Sequence, residues 1–196
     1  MLPLFFCFFV FFYYKTNKME LLLENLQQEG YYISNDTAKF RFKELHNYPN
    51  ALGYDEKSKG YLVLHKGHQP GGIADEILAC LILKKNGYRI ELLDESASTG
   101  IEPDAKINGA YYDLKRLHKA TNLLERLSRL FRKVTEMKIK SIVLHIDQNI
   151  KRSDLEKLLS ITAQRRPKIN SIILIFENNV YDLTRQQMID KNWQKV

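Results

Sequence analysis

The stretch Gly100 to Leu117, GIEPDAKINGAYYDLKRL, decides how this chain is read. At its centre stands the dipeptide Asn108-Gly109. Both residues tolerate the positive φ that a two-residue type I′ turn demands, so the segment predicts a β-hairpin over 103–116. Counting outward from the turn sets the register. Ile107 falls opposite Ala110, Lys106 opposite Tyr111, Ala105 opposite Tyr112, and Asp104 opposite Asp113. Directly opposed side chains stand about 5 Å apart at Cβ, where two like charges destabilise a sheet unless a positive group lies between them. Lys115 shares the face of Asp113, because alternate residues of a strand point the same way while Leu114 points to the other side.

Around the hairpin the elements follow from hydrophobic spacing. IADEILACLILKKNG carries Ile73, Ile77 and Leu81 at helical intervals and closes on Gly87. YRIELLDES reads as a strand. Beyond the hairpin, Leu123, Leu127, Leu130, Val134 and Met137 make an amphipathic helix over 122–138, with Arg126, Arg129, Arg132 and Lys133 on its wetter side. SIVLHID and SIILIFENN are buried-type strands. Between them lies a helix over 153–165, opened by a Ser153-x-x-Glu156 capping box. The last segment, VYDLTRQQMIDKNWQKV, reads as a short strand with a helical tail. Upstream, 20–29 is a short helix stopped by Gly30, Tyr31 to Ile33 reads as strand with mixed signals after it, and Tyr61 to Leu64 is a strand. The fold class is therefore α/β: a mixed β-sheet with an antiparallel hairpin, flanked by helices.

The bulk properties narrow the function. Among 196 residues, 30 are Lys or Arg and 23 are Asp or Glu, a formal net charge of +7 that suits a polyanionic partner. Cys7 and Cys80 are the two cysteines, too few for a disulfide framework or a thiolate metal site. The opening MLPLFFCFFVFFYYK falls short of the about 20 apolar residues that span a bilayer. It also lacks the basic start and small-residue cleavage site of a signal peptide. Met19 then reads as the working start. That leaves 1–18 outside the folded chain, 19–60 as a helical and irregular appendage, and 61–196 as the main domain. A cytoplasmic protein with no membrane partner is expected. A P-loop, a Gly-x-Gly-x-x-Gly fingerprint and a Gly-x-Ser-x-Gly elbow are all missing, which removes support for ATP-driven work, dinucleotide redox chemistry and serine hydrolysis.

Four groups then carry the chemistry: Glu76, Asp104, Asp113 and Lys115. Hard carboxylate oxygens suit Mg²⁺ or Mn²⁺, which would also relieve the repulsion between the aspartates. Such an ion polarises a phosphoryl oxygen and acidifies a bound water. Lys115 can stabilise developing negative charge or position that water. Glu76 comes from the preceding helix and reaches the site if that helix packs across the sheet. Its neighbour Asp75 is the alternative, and either residue also reads as an ordinary first-turn acid.

PDAKINGAYYDLK resembles the PD-(D/E)XK nuclease motif, with Pro103-Asp104 as its first half and Asp113-Leu114-Lys115 as its second. The acidic helix bearing Glu76 and the order of elements from Ile73 to Asp147 resemble that superfamily's core, a restriction-endonuclease-like arrangement. Within it, GGIADEILACLILKKNGYRIELLDES and GIEPDAKINGAYYDLKRL are most similar to the C-terminal nuclease domains of contact-dependent growth-inhibition toxins, with relatives in phage and mobile-element proteins. The resemblance implies a metal-dependent endonuclease acting on tRNA or DNA. Glu76, Asp104, Asp113 and the Leu114 carbonyl would surround Mg²⁺ or Mn²⁺, with Lys115 beside the water. It also suggests an inhibitory, immunity-type partner protein. Arg116, Lys119, Arg126 and Arg129 would track phosphates, and Tyr111 would stack on a base. Taken singly, each of these basic residues reads first as one that keeps an amphipathic helix soluble, and Tyr111 reads equally as packing against the neighbouring strand. The rival reading is a non-catalytic nucleic-acid-binding or interaction module on the same fold. His65, His68 and His118 show no metal-ligand spacing and read as structural.

Overall fold

The hairpin forms with the register its turn demands. Asn108 and Gly109 adopt φ of 49° and 89°, the left-handed pair of a type I′ turn. They join β5 (Ala105–Ile107) to β6 (Ala110–His118), with Ala105 opposite Tyr112, Lys106 opposite Tyr111 and Ile107 opposite Ala110. The computed structural model describes residues 18–69, 73–96, 103–118, 122–136 and 140–196. The apolar start, 1–17, lies outside these.

Around this hairpin a nine-stranded sheet is laid out in the order β1-β3-β4-β5-β6-β7-β8-β9, with β2 also paired to β3. The strands are β1 (Tyr31–Tyr32), β2 (Gly53–Tyr54), β3 (Tyr61–His65), β4 (Arg89–Leu92), β7 (Ser141–Asp147), β8 (Ser171–Phe176) and β9 (Asn179–Thr184) with the hairpin pair. Parallel pairing joins β3 to β4, β6 to β7 and β7 to β8; the other pairs are antiparallel. Helices make the parallel crossovers: α3 (Ile73–Lys85), α4 (Leu123–Glu136) and α5 (Arg152–Arg165). A first helix, α1, covers 18–28, α2 (Asn35–Ala38) is a single turn, and α6 (Arg185–Asp190) closes the chain. This is the mixed α/β architecture expected from the sequence.

Strand alternation divides the core between two faces. Leu62, Leu64, Ile90, Leu92, Tyr112 and Leu114 face α3 through Ile77, Cys80 and Leu83. Leu117, Ile142, Leu144 and Ile146 face the other way, under Leu127 and Phe131 of α4 and Leu155 and Leu159 of α5. β7 and β8 are covered on both sides, which is why they read as unbroken aliphatic runs. Each fully buried Leu or Ile contributes about 1.5–3 kcal/mol relative to exposure.

The segment 31–54 is woven into this arrangement. β1 and β2 pair with β3, while Phe42, Leu45 and Ala51 pack into the same core as α3. The expected boundary between 60 and 61 thus falls beside strands of one sheet. Two local details also differ from expectation. α5 starts at Arg152 with Lys151 as an N-cap that makes no side-chain cap bond, so Ser153 stands inside the first turn and the expected capping box is absent. Glu156 instead accepts from Arg152 Nε at 2.8 Å, one turn back. The capping box is at α6, where Thr184 and Gln187 bond reciprocally.

Candidate active site

The site begins where the hairpin opens. β5 starts at Ala105, one residue beyond Asp104, so the sheet loses a strand there while β6 runs on to His118. In that fork the Asp104 carboxylate replaces a strand carbonyl: its Oδ2 accepts the Leu114 N–H at 2.6 Å. Asp113 is directed into the same space and is 1% exposed. The Lys115 ammonium lies between them, donating to Asp104 Oδ2 at 3.1 Å, to Asp113 Oδ1 at 2.8 Å and to the Leu114 carbonyl at 2.8 Å. The positive group that the opposed aspartates call for comes from the third residue of their own motif.

One ammonium does not satisfy two carboxylates. Among the described residues, Asp113 Oδ2 is buried and has no hydrogen-bond partner, a costly state for an oxygen removed from water. Burial, followed by repulsion from Asp104, pushes the Asp113 carboxyl up to about 6 despite the neighbouring Lys115. Burial works against the Lys115 ammonium, but Asp104 and Asp113 outweigh it and hold the lysine above its usual range. Three oxygens therefore converge on one cation, with a fourth beside them unpaired. This is a hard-oxygen set of the kind divalent Mg²⁺ or Mn²⁺ requires.

Glu76 is held differently. α3 packs on the face carrying Tyr112 and Leu114, whereas Asp113 and Lys115 belong to the opposite face. From there Glu76 Oε2 meets His68 Nε2 at 2.8 Å. On the other side of the imidazole, His68 Nδ1 lies 3.0 Å from the Leu93 carbonyl and 3.3 Å from Glu95 Oε1. Ligand atoms of His68, Glu76 and Glu95 all fall within 4.8 Å of one another. Burial opposes a charge on His68, yet Glu76 and Glu95 overcome it and raise its affinity for a proton. Glu95 itself is shifted up, first by burial and then by Glu76 and Asp104. Asp104 thus makes itself felt in this second cluster, and the two clusters share the open end of the hairpin.

Residues 101–180 match the family model of the contact-dependent growth inhibition CdiA C-terminal domain. No curated protein and no solved structure matches the chain. The matched part holds Asp104, Asp113 and Lys115 and the elements from β5 to the first residues of β9. It excludes α3, so Glu76, His68 and Glu95 lie outside it.

The remaining residues expected at the site are dispersed. Arg116, on the α3 face, donates to Asp75 and to Asp147, clamping α3 against β6 and β7. Its charge is compensated by these two carboxylates. Asp75, the alternative to Glu76, is thereby engaged away from the fork. Arg129 pairs with Glu125 at 2.6 Å on the solvent side of α4, and Arg126 is exposed one turn earlier. Lys119 lies outside the described residues. Tyr111 is 57% exposed and stands two residues before Asp113 on the same side of β6. Sequence reading missed His68 and Glu95. The one available signal was His68 eight residues ahead of Glu76 in the acidic first turn of α3, which has no distinctive spacing.

Proposed function

We propose that this protein is a metal-dependent nuclease that hydrolyses phosphodiester bonds in nucleic acid, built on the PD-(D/E)XK pattern. The observation that carries the reading is that Asp113 Oδ2 is buried and unpartnered among the described residues, while Lys115 bridges Asp113 Oδ1 to Asp104 Oδ2. Asp104, Asp113 and the Leu114 carbonyl would hold Mg²⁺ or Mn²⁺, while Glu76, held by His68 on the α3 side, would act on the shell only from behind it. The ion, when bound, supplies a polarised phosphoryl oxygen and an acidified water.

The residues of the chain do the rest. Asp104, tied to the Leu114 N–H, keeps the fork at a set width. Lys115 places a cation within about 3 Å of the reacting region and can steady the water or the charge growing on the phosphate. Burial of Asp113 excludes solvent that would weaken these electrostatic interactions. The match to a growth-inhibition domain supports a toxin-like role and an immunity-type protein as inhibitory partner; tRNA or DNA as substrate and action in the cytoplasm are part of the proposal.

The test is cleavage of tRNA, single-stranded DNA and duplex DNA in Mg²⁺, Mn²⁺ or EDTA. Cutting is expected with metal alone, and Asp113→Ala or Lys115→Ala lowers it by about 10²–10⁴-fold. Undiminished cutting in EDTA, or full activity in Asp113→Ala, overturns the reading. Salt-sensitive binding without any cutting would assign a non-catalytic binding module instead.

A further inference from the structure

The face that bears the aspartate pair also carries a groove. Continuing the sheet register one step past Leu64, Leu92, Ala105 and Tyr112 places His65, Leu93, Asp104 and Asp113 in one row across the strands. The Leu93 N–H bonded to the Asp104 carbonyl at 3.0 Å confirms that row. His65 and Leu93 of that row, with Pro103, the residue before Asp104, line a cavity of about 830 Å³ that neighbours the aspartate pair without including it. This is within the range of small-molecule sites, about 300–1,000 Å³.

Its walls are aromatic and its charges are of both signs. Tyr111 offers an exposed ring, while Tyr31 and His65 form an edge-to-face pair at 5.0 Å. Glu29 and Asp94 line the groove as acceptors, and Lys140 as a cation. The carboxylates repel phosphate but accept from the exocyclic amines of a nucleobase. An aromatic face binds any base through stacking. Lys140 is suited to the adjoining phosphate.

We propose that this groove takes an unpaired nucleobase of the strand whose phosphate lies at the fork. Tyr111 is its stacking platform, and Glu29 and Asp94 are its acceptors. The proposal rests on the nuclease reading and narrows the substrate to single-stranded or looped nucleic acid. In a duplex the bases are stacked on each other and unavailable to the groove.

The test is binding by the full chain in EDTA, where a metal-dependent enzyme does not cut. The probes are single-stranded RNA and DNA oligonucleotides of one sequence, an abasic strand of equal length, and the duplex. The base-bearing strand is expected to bind about tenfold more tightly than the abasic one, and Tyr111→Ala closes that gap. A 2-aminopurine in the strand is quenched on binding to the native chain and not on binding to Tyr111→Ala. Comparison of the RNA and DNA arms identifies which backbone is preferred. Equal affinity for abasic and base-bearing strands, or duplex binding as tight as single-strand binding, overturns the proposal. Because no cleavage is read, failure of the groove is distinguishable from failure of the nuclease chemistry.

Discussion

Two acidic clusters meet at the open end of the hairpin, and their hydrogen-bond balances are opposite. Around His68 the balance closes: each imidazole nitrogen faces an acceptor, and two glutamates share one ring. Around Lys115 it does not close, since a single ammonium faces two aspartates and, among the described residues, Asp113 Oδ2 is left without a partner. A satisfied buried network contributes rigidity, whereas an unsatisfied one retains an unmet demand for a cation or a proton. Under the nuclease reading, the difference separates a group that holds the site in place from a group poised for chemistry. The family match follows the same line, covering the second cluster and omitting the first.

The largest expected effect on folding tests the closed cluster. His68→Ala leaves Glu76 and Glu95 facing each other without their shared partner, and should cost about 3 kcal/mol. For a chain of this size that lowers Tm by roughly 6–12 °C. Asp113→Asn, made in the open cluster, should shift stability by less than about 1 kcal/mol, because it removes repulsion as well as an ion pair. Thermal unfolding of the two variants side by side checks this. Equal losses would erase the distinction.

Metal addition sharpens the same contrast. At Mg²⁺ or Mn²⁺ concentrations about 100 times the dissociation constant, a formed site stabilises the native chain by about 2.7 kcal/mol. The rise in Tm should vanish in Asp113→Asn. A rise of the same size in that variant would move the cation away from the fork, and its loss in His68→Ala would move it into the His68 cluster.

The smallest effect concerns His145. His145 stands opposite Arg116 in the β6–β7 pair, and among the described residues its buried Nδ1 has no partner. Burial, then the Arg116 charge, lowers its pKa from the ordinary 6.5. The unfolded chain therefore takes up the proton first. Stability contributed by neutral His145 is full above about pH 6.5 and declines as pH falls towards the lower native pKa. Denaturant titrations at pH 7 and pH 5 should show this decline, and His145→Leu should reduce it. An unchanged slope in the variant would show that other groups set the acid limb. His68, between two carboxylates, is driven in the opposite direction.

How much of this was legible in the sequence depended on how far apart the interacting residues lie. Asn108-Gly109 encodes a turn within two residues, and that turn determined the register whose continuation brings Asp104 and Asp113 together with Lys115 between them. The aliphatic runs of β7 and β8 and the helical spacing of α3 and α4 were equally local signals. Local chemistry misled at Ser153 and Glu156, where the residues of a capping box are present but the helix begins one residue earlier.

Only the tertiary structure joined His68 to Glu76 and Glu95, and engaged Arg116 with Asp75 and Asp147, 41 and 31 residues away. It also carried 31–54 into the sheet and placed Glu29, Tyr31 and His65 beside Tyr111 in one groove. Turns, strand alternation and helical periodicity arise from backbone geometry over a few residues, so the sequence displays them directly. Contacts between distant elements depend on which faces bury together, and no spacing along the chain records that choice.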